Sequence, residues 1–197
     1  MQMPRMSEAE KQRSHGRILD AAALMFREHG IEETSVADIM KAAGMSHGGF
    51  YRHFASKEEL VSAAFNHAVD SVVADMERET TSEAQKRDRE AYIETYLSLA
   101  HVEDLGRGCP LAAMGTELAR AGGSPAHAGA IATARMADLL RDDPESSTDQ
   151  GLAAMALLIG AVTLARLADT EEEAERTLQA GRTGIGLFQE HWPKGRL

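Results

Sequence analysis

The chain has 197 residues, 43% hydrophobic and 26% charged, a balance that excludes wholesale disorder and fits one large folded domain or two small ones. A formal charge of -10 argues, taken alone, against a nucleic-acid partner. The single cysteine, Cys109, excludes an intrachain disulfide and fits a reducing cytoplasm, and MQMPRMSEAEKQRSHGR lacks the apolar core of a secretory signal.

A first helix is expected over about 10–29, with Ile18, Leu19, Ala22, Met25 and Phe26 as its apolar stripe and Gly30 closing it. Thr34 or Ser35 can cap a second helix, and Ser35 with Asp38 approximates a capping box. Val36, Ile39, Met40 and Ala43 recur at i, i+3, i+4, i+7, one apolar helical face. Gly44 suits the left-handed geometry that ends a helix, Met45 packs the turn, and Ser46 can cap the next helix. That helix, His47 to about Phe54, sets Phe50 and Phe54 on one face and leaves His47, Gly48, Gly49, Tyr51, Arg52 and His53 for the others.

Two short helices about a glycine turn make a helix-turn-helix, whose second helix can lie in a major groove about 12 Å wide. Gly48 and Gly49 lower helix propensity by roughly 1 kcal/mol each, which close backbone approach to DNA would explain. His47 and Arg52 can donate to base edges or phosphates. Tyr51 offers a phenol to a phosphate and a ring to a thymine methyl, and Lys57 suits a backbone contact. No Asp or Glu occurs from Ile39 to Lys57, whereas Lys41, Arg52 and Lys57 are basic. Through Lys57 eight basic residues face seven acids, so this part carries +1 and the remainder -11: the acidity lies in the C-terminal part.

Ser56 with Glu59 forms a second capping box, opening a long helix over about 57–79 that carries Leu60, Ala64, His67, Ser71 and Met76 and joins head to body. A further helix over about 88–100 presents Ile93, Tyr96, Leu97 and Ala100. Gly106 and Gly108 then turn the chain, and Pro110 opens a helix with Leu111, Met114 and Leu118 inward. Pro125 opens another, through about Arg141, carrying Ile131, Ala134, Met136 and Leu139. A polar loop follows at Asp142, Asp143 and 144–147. From Thr148 or Asp149 the helix DQGLAAMALLIGAVTLARLAD is apolar almost all round, and its run 151–164 is too short to span a bilayer. Its small residues Ala153, Ala156, Gly160 and Ala161 admit a close neighbour. Glu171, Glu172 and Glu173 open the last helix, whose inner positions are Leu178, Gly181, Ile185 and Phe188, and Trp192 and Pro193 finish it.

The run RILDAAALMFREHGIEETSVADIMKAAGMSHGGFYRHFASKEEL resembles the head of the tetracycline-repressor (TetR/AcrR) family, specifically in FREHG, TSVADI, AGMS, G-x-F-Y-x-H-F and SKEEL, over about 13–65. The resemblance implies an all-α fold: a three-helix helix-turn-helix head over 10–56, joined through a long helix to a helical ligand-binding and dimerisation body over 57–197. It implies phosphate contacts from Thr34, Ser35, Tyr51, His53 and Lys57, and a base-edge or backbone contact from His47. The family commonly has Lys or Arg at that last place, so an imidazole there would make the contact pH-sensitive. With Lys41, Ser46, Gly48, Gly49 and Arg52 these complete the expected double-stranded DNA-binding set.

The resemblance also implies a homodimer that pairs its last two helices across a two-fold axis. The residues expected there are Ala153, Ala156, Leu157, Gly160, Ala161, Leu164, Leu178, Gly181, Ile185 and Phe188. Two heads about 34–36 Å apart suit a palindromic operator. A small-molecule effector would enter the body, with Tyr92, Tyr96, His101, Cys109, Met114, His127, Met136 and Met155 as candidate lining. No cofactor, metal or membrane is expected. Cys109, between Gly108 and Pro110 at a helix start, is either a low-pKa thiol that senses electrophiles or oxidants, or a small core residue. An enzyme is disfavoured, since the chain has no His-x-x-x-His, cysteine pair, nucleophile elbow or phosphate loop. A helical adaptor that ignores DNA is the remaining alternative.

Overall fold

A computed structural model describes residues 7–78, 81–142 and 147–192. The described residues are helical throughout, without a strand. Helix α1 (Glu8–His29) begins in a reciprocal capping box: the Ser7 hydroxyl accepts from Glu10 N–H at 3.2 Å, and the Glu10 carboxylate accepts from Ser7 N–H at 2.9 Å. Gly30 ends it at φ 84°. Helix α2 (Val36–Ala42) is capped by Ser35, which accepts from Asp38 N–H at 3.1 Å. Gly44, at φ 71°, turns the chain as expected of a glycine there.

The next segment departs from the expected α-helix. His47–Arg52 is a 3-10 helix, and Ser46, in extended backbone before it, makes no side-chain cap. Two consecutive glycines weaken the wider α-helical turn, and a short 3-10 segment needs fewer successive bonds. Helix α3 (Lys57–Arg78) follows, with Ser56 accepting from Glu59 N–H at 3.2 Å and Glu59 reaching back to Ala55 N–H.

Phe26 of α1, Ile39 and Met40 of α2, Phe50 and Phe54 around the 3-10 turn, and Leu60 and Phe65 of α3 are buried in one continuous core. Each such side chain contributes about 1.5–3 kcal/mol by leaving water. The first turns of α3 therefore belong to the core of the head. At 22 residues and about 1.5 Å per residue, α3 is long enough to continue well into the body.

The body holds α4 (Ser82–Tyr96), α5 (Leu99–Glu103), α6 (Pro110–Ala121), α7 (Gly123–Leu139), α8 (Thr148–Arg166) and α9 (Glu171–His191). Three boundaries differ from expectation. Thr81 caps α4 six residues before the expected start, accepting from Ala84 N–H at 3.3 Å. The expected continuation to Ala100 breaks at Leu97, because the Ser98 hydroxyl caps a new helix through His101 N–H. Gly122 and Gly123, both at positive φ, turn α6 directly into α7 ahead of Pro125. Of the polar loop, 143–146 lie outside the described residues, as does Pro193.

Helix α7 packs along α3, and α8 lies against both α7 and α9. At 19 residues α8 is long and apolar enough to cross a bilayer by length and composition, contrary to the shorter run expected. Its Ala154, Leu158, Val162 and Ala165 are buried against neighbouring helices, the pattern of a core helix. The closest helix crossing is at Gly151, where a Cβ would stand 1.8 Å from the Ala137 carbonyl oxygen.

Candidate nucleic-acid interface

The tip of the head is built by α2, the 3-10 turn and the start of α3. Phe50 and Phe54 anchor it inward, with ring centroids 5.8 Å apart, so the side chains between them turn outward. Tyr51 is 72% exposed, its ring supported only along one edge by Phe50 at 5.2 Å. Ser35, Lys41, Ser46, His47, Gly48 and Arg52 are exposed too. A Cβ on Gly48 would meet nothing within 4 Å, so this glycine leaves an open, thin edge. Gly49 is half-buried, and a Cβ there would lie 3.5 Å from Met40 Cε. The two glycines therefore serve different ends: Gly48 faces open space and Gly49 faces packed side chains.

Two expected phosphate contacts, Thr34 and His53, turn inward, and a third, Lys57, is half-buried. Thr34 is 2% exposed, and its hydroxyl donates to the Gly30 carbonyl at 2.7 Å, where it ties the end of α1 to the start of α2. It is a structural residue, and Ser35 alone caps α2. His53 turns inward: both ring nitrogens are buried without a partner, its ring lies 5.7 Å from that of His15, and His15 stacks on Phe54 at 4.8 Å. Burial pushes the His53 pKa below its ordinary value, and the nearby His15, Lys11 and Arg52 push it the same way. Lys57 is half-buried, with Nζ 3.5 Å from the Glu32 carbonyl. Sequence reading missed Lys11 and His15 of α1, which approach the tip from some forty residues away, beyond any spacing rule.

The body separates the expected pocket residues. Tyr96, Cys109, Met114, Met136 and Met155 are buried core, and His127 is exposed on α7. Tyr92, Tyr96, His101 and Cys109 do form a cluster. The Tyr92 and Tyr96 rings are 5.6 Å apart, and Tyr96 meets the edge of His101 at 4.4 Å. His101 lies with Nδ1 2.6 Å from the Tyr96 carbonyl, so Nδ1–H donates there, and Nε2 accepts from Cys109 N–H at 3.0 Å. Those partners fix the neutral ring, and burial lowers its pKa. The Tyr92 hydroxyl is buried with no partner among the described residues, the Tyr96 hydroxyl faces Cys109, and burial pushes both pKa values up. Cys109 is 5% exposed, which suits a core residue better than a thiol open to oxidants.

A cavity of about 330 Å³ lies elsewhere, between the end of α3, the start of α4 and the end of α7, and none of the eight expected residues lines it. Side-chain hydrogen bonds from Glu117 and Arg27 join body to head. Glu117 of α6 accepts from Ile31 N–H at 2.9 Å and from Glu32 N–H at 3.3 Å, and Arg27 of α1 donates to the Gly108 carbonyl at 3.1 Å.

Of the ten expected interface residues, Ala161, Leu178, Gly181 and Ile185 are consumed inside the chain. A Cβ on Gly181 would stand 2.9 Å from the Ala161 Cβ, so these small residues admit α9 of the same chain to α8. Ala153, Leu157, Gly160 and Phe188 are half-buried, and Ala156 and Leu164 face outward. Leu152 and Leu164 of α8, Leu167 at its C-cap and Leu187 of α9 are exposed apolar side chains, Leu164 at 61% and Leu167 at 74%.

Comparison with known proteins agrees with this architecture. The family model of bacterial regulatory proteins of the tetR type matches residues 18–64, from mid-α1 into α3. The transcriptional repressor KstR2 of Mycobacterium tuberculosis is 40% identical over a stretch covering 32% of this chain and 37% of that one. The regulator AcrR of Shigella flexneri is 40% identical over 30% of this chain and 28% of its own. The chain thus matches these curated relatives over only 28% to 37% of their length. Along almost the whole chain the fold is similar to a TetR transcriptional regulator from Chloroflexus aurantiacus, with TM-score 0.72, 26% identity and coverage of 93% and 97% of the two chains. A TetR regulator from Legionella pneumophila shares the fold at TM-score 0.68 and 20% identity, covering 93% of this chain and all of that one. The helix-turn-helix head thus matches the tetR type of bacterial regulatory proteins over residues 18–64, and the helical body has the same fold as a solved TetR transcriptional regulator.

Proposed function

We propose that this protein is a DNA-binding transcriptional regulator of the cytoplasm: a homodimeric repressor that grips a palindromic operator and lets go when a small molecule occupies its body. The observation that carries this reading is the tip of the head, where a 72% exposed tyrosine stands beside Arg52, His47 and Lys41 in a stretch free of acids. A large aromatic ring left in water among cations gains most by meeting phosphates and bases. The thin edge at Gly48 lets the 3-10 turn lie close to the duplex. Tyr51 and Arg52 then make the direct contacts, and Lys11 and Lys57 add positive charge beside the phosphate backbone.

The exposed leucines of α8 and α9 support pairing with a second copy, which would present two tips to successive turns of DNA. The Glu117 carboxylate and the Arg27–Gly108 bond offer a physical route by which a change in α6 reaches the head. A ligand acts through them by favouring one body conformation, and its differential affinity sets the size of the response. The similarity to KstR2, a transcriptional repressor, and AcrR, a transcriptional regulator, supports a protein that binds rather than turns over.

The test is fluorescence anisotropy on an operator recovered from random duplex DNA. Tight binding that weakens steeply with salt is expected. Arg52→Ala and Tyr51→Ala, both at exposed positions, should each lower affinity by about 1–3 kcal/mol with unchanged unfolding midpoints. Indifference to every duplex in dilute buffer without effector ends this reading and favours a helical adaptor.

A further inference from the structure

The cavity at the end of α3 remote from the head has a chemistry of its own. Met76 of α3 and Leu139 of α7 supply apolar wall, and Ser82 and Arg89 of α4 supply polar groups. Arg89 is 6% exposed, an unusual place for a guanidinium. Its Nη1 donates to the Arg141 carbonyl at 2.6 Å, and its Nη2 lies 3.4 Å from an Asp142 oxygen, too long for a good charged bond. Its Nε–H is buried with no acceptor among the described residues. An unmet buried donor carries its full desolvation penalty, so the arrangement is incomplete as it stands.

Nε and Nη2 form one edge of the guanidinium, the edge that holds a carboxylate side-on. Arg135 of α7 shows the completed version, with Nε and Nη2 on the two oxygens of Glu77 of α3. We infer that the cavity binds a small organic monocarboxylate with an apolar body, its carboxylate forked on the Nε–Nη2 edge of Arg89 and its apolar part against Met76 and Leu139. The acids nearby limit the charge. Asp138 is held by Arg141, and Asp142 also accepts from Gln150 Nε2 at 2.8 Å. A single negative charge is therefore accommodated, whereas a dianion such as a phosphate monoester meets both acids. A cation supplies no acceptor for the orphaned donor. A cavity of about 330 Å³ is at the small end of organic-ligand sites, with room for a short chain or one ring.

Identification of this ligand as the effector rests on the regulatory reading above, but its binding does not. The probes are hexanoate and benzoate, with hexanamide and benzamide as neutral counterparts, titrated calorimetrically into the full chain without DNA. One acid should bind saturably, its amide about tenfold or more weaker, and Arg89→Gln should abolish the difference. Because Arg89 also braces the end of α7, Leu139→Trp provides a second variant, which fills the cavity with Arg89 intact and should block binding. Amide binding equal to the acid, an unchanged affinity in the folded Leu139→Trp variant, or no saturation by either acid up to about 10 mM overturns the site. Repeating the titration with operator DNA present separates the two ideas. Acid binding that leaves DNA affinity unchanged keeps the site and removes its role as effector site.

Discussion

Buried hydroxyls and imidazoles set the residue-scale energetics. Tyr92 encloses an O–H that meets no acceptor among the described residues, so removing it relieves a desolvation penalty. Tyr92→Phe should therefore leave the protein as stable or raise its unfolding free energy by up to about 1 kcal/mol, read from urea midpoints; a clear loss of stability would overturn this. His53 is the counterpart in the head. Its folded pKa lies below the ordinary imidazole value because it is buried, with His15, Lys11 and Arg52 adding to the effect. The unfolded chain takes up the proton more readily, so stability is full above about pH 6.5 and is lost as the pH falls from there toward the folded value. His101, also lowered by burial, acts with the same sign in the body. Urea midpoints at about pH 7.5 and 5.5 should show the fall, and His53→Phe should remove part of it and leave the His101 share.

At the scale of elements, close packing of helices α7, α8 and α9 depends on small residues at two crossings. A methyl group at Gly151 would enter the Ala137 carbonyl at 1.8 Å, and backbone rather than a flexible side chain stands in the way. Gly151→Ala, a substitution that raises helix propensity, should nonetheless destabilise the protein by about 3 kcal/mol or more and lower its thermal midpoint. An unchanged midpoint would mean that α8 can slide off α7. Sequence periodicity located most of these elements, because α1, α3, α6, α8 and α9 follow local caps and stripes. It failed where two local signals compete. Thr81 starts a helix ahead of the expected boundary near 88, and Ser98 starts another inside the apolar stripe 93–100. The paired glycines after Ser46 yielded a 3-10 turn in place of an α-helix.

For the whole molecule, the unburied apolar surface on α8 and α9 is the main open account. Leu164 on the outer face of α8 and Leu167 at its C-cap lie 61% and 74% exposed, apolar surface that a second copy of the chain would cover. Leu164→Glu with Leu167→Glu should convert a dimer into a monomer by sedimentation at micromolar concentration while helicity by circular dichroism is kept. Wild-type protein that already sediments as a monomer would sink the pairing. The interface residues expected from sequence were only partly the outward ones. Leu178, Gly181, Ile185 and Ala161 pack α9 onto α8 within one chain, since small and apolar residues serve an internal and an external neighbour equally well.

The sequence by itself determined the helical class, the head with its turn at Gly44, and the exposed Tyr51–Arg52 tip, because caps, stripes and turn glycines act over four or five residues. Only the tertiary structure decided which way each face points. It turned Thr34 and His53 inward, brought Lys11 and His15 to the tip, and buried Met114, Met136 and Met155 as core. It also opened a cavity around Arg89 that no local pattern marks. Burial and cavities arise from contacts between segments far apart in the chain, and periodicity within one segment carries no record of its neighbours.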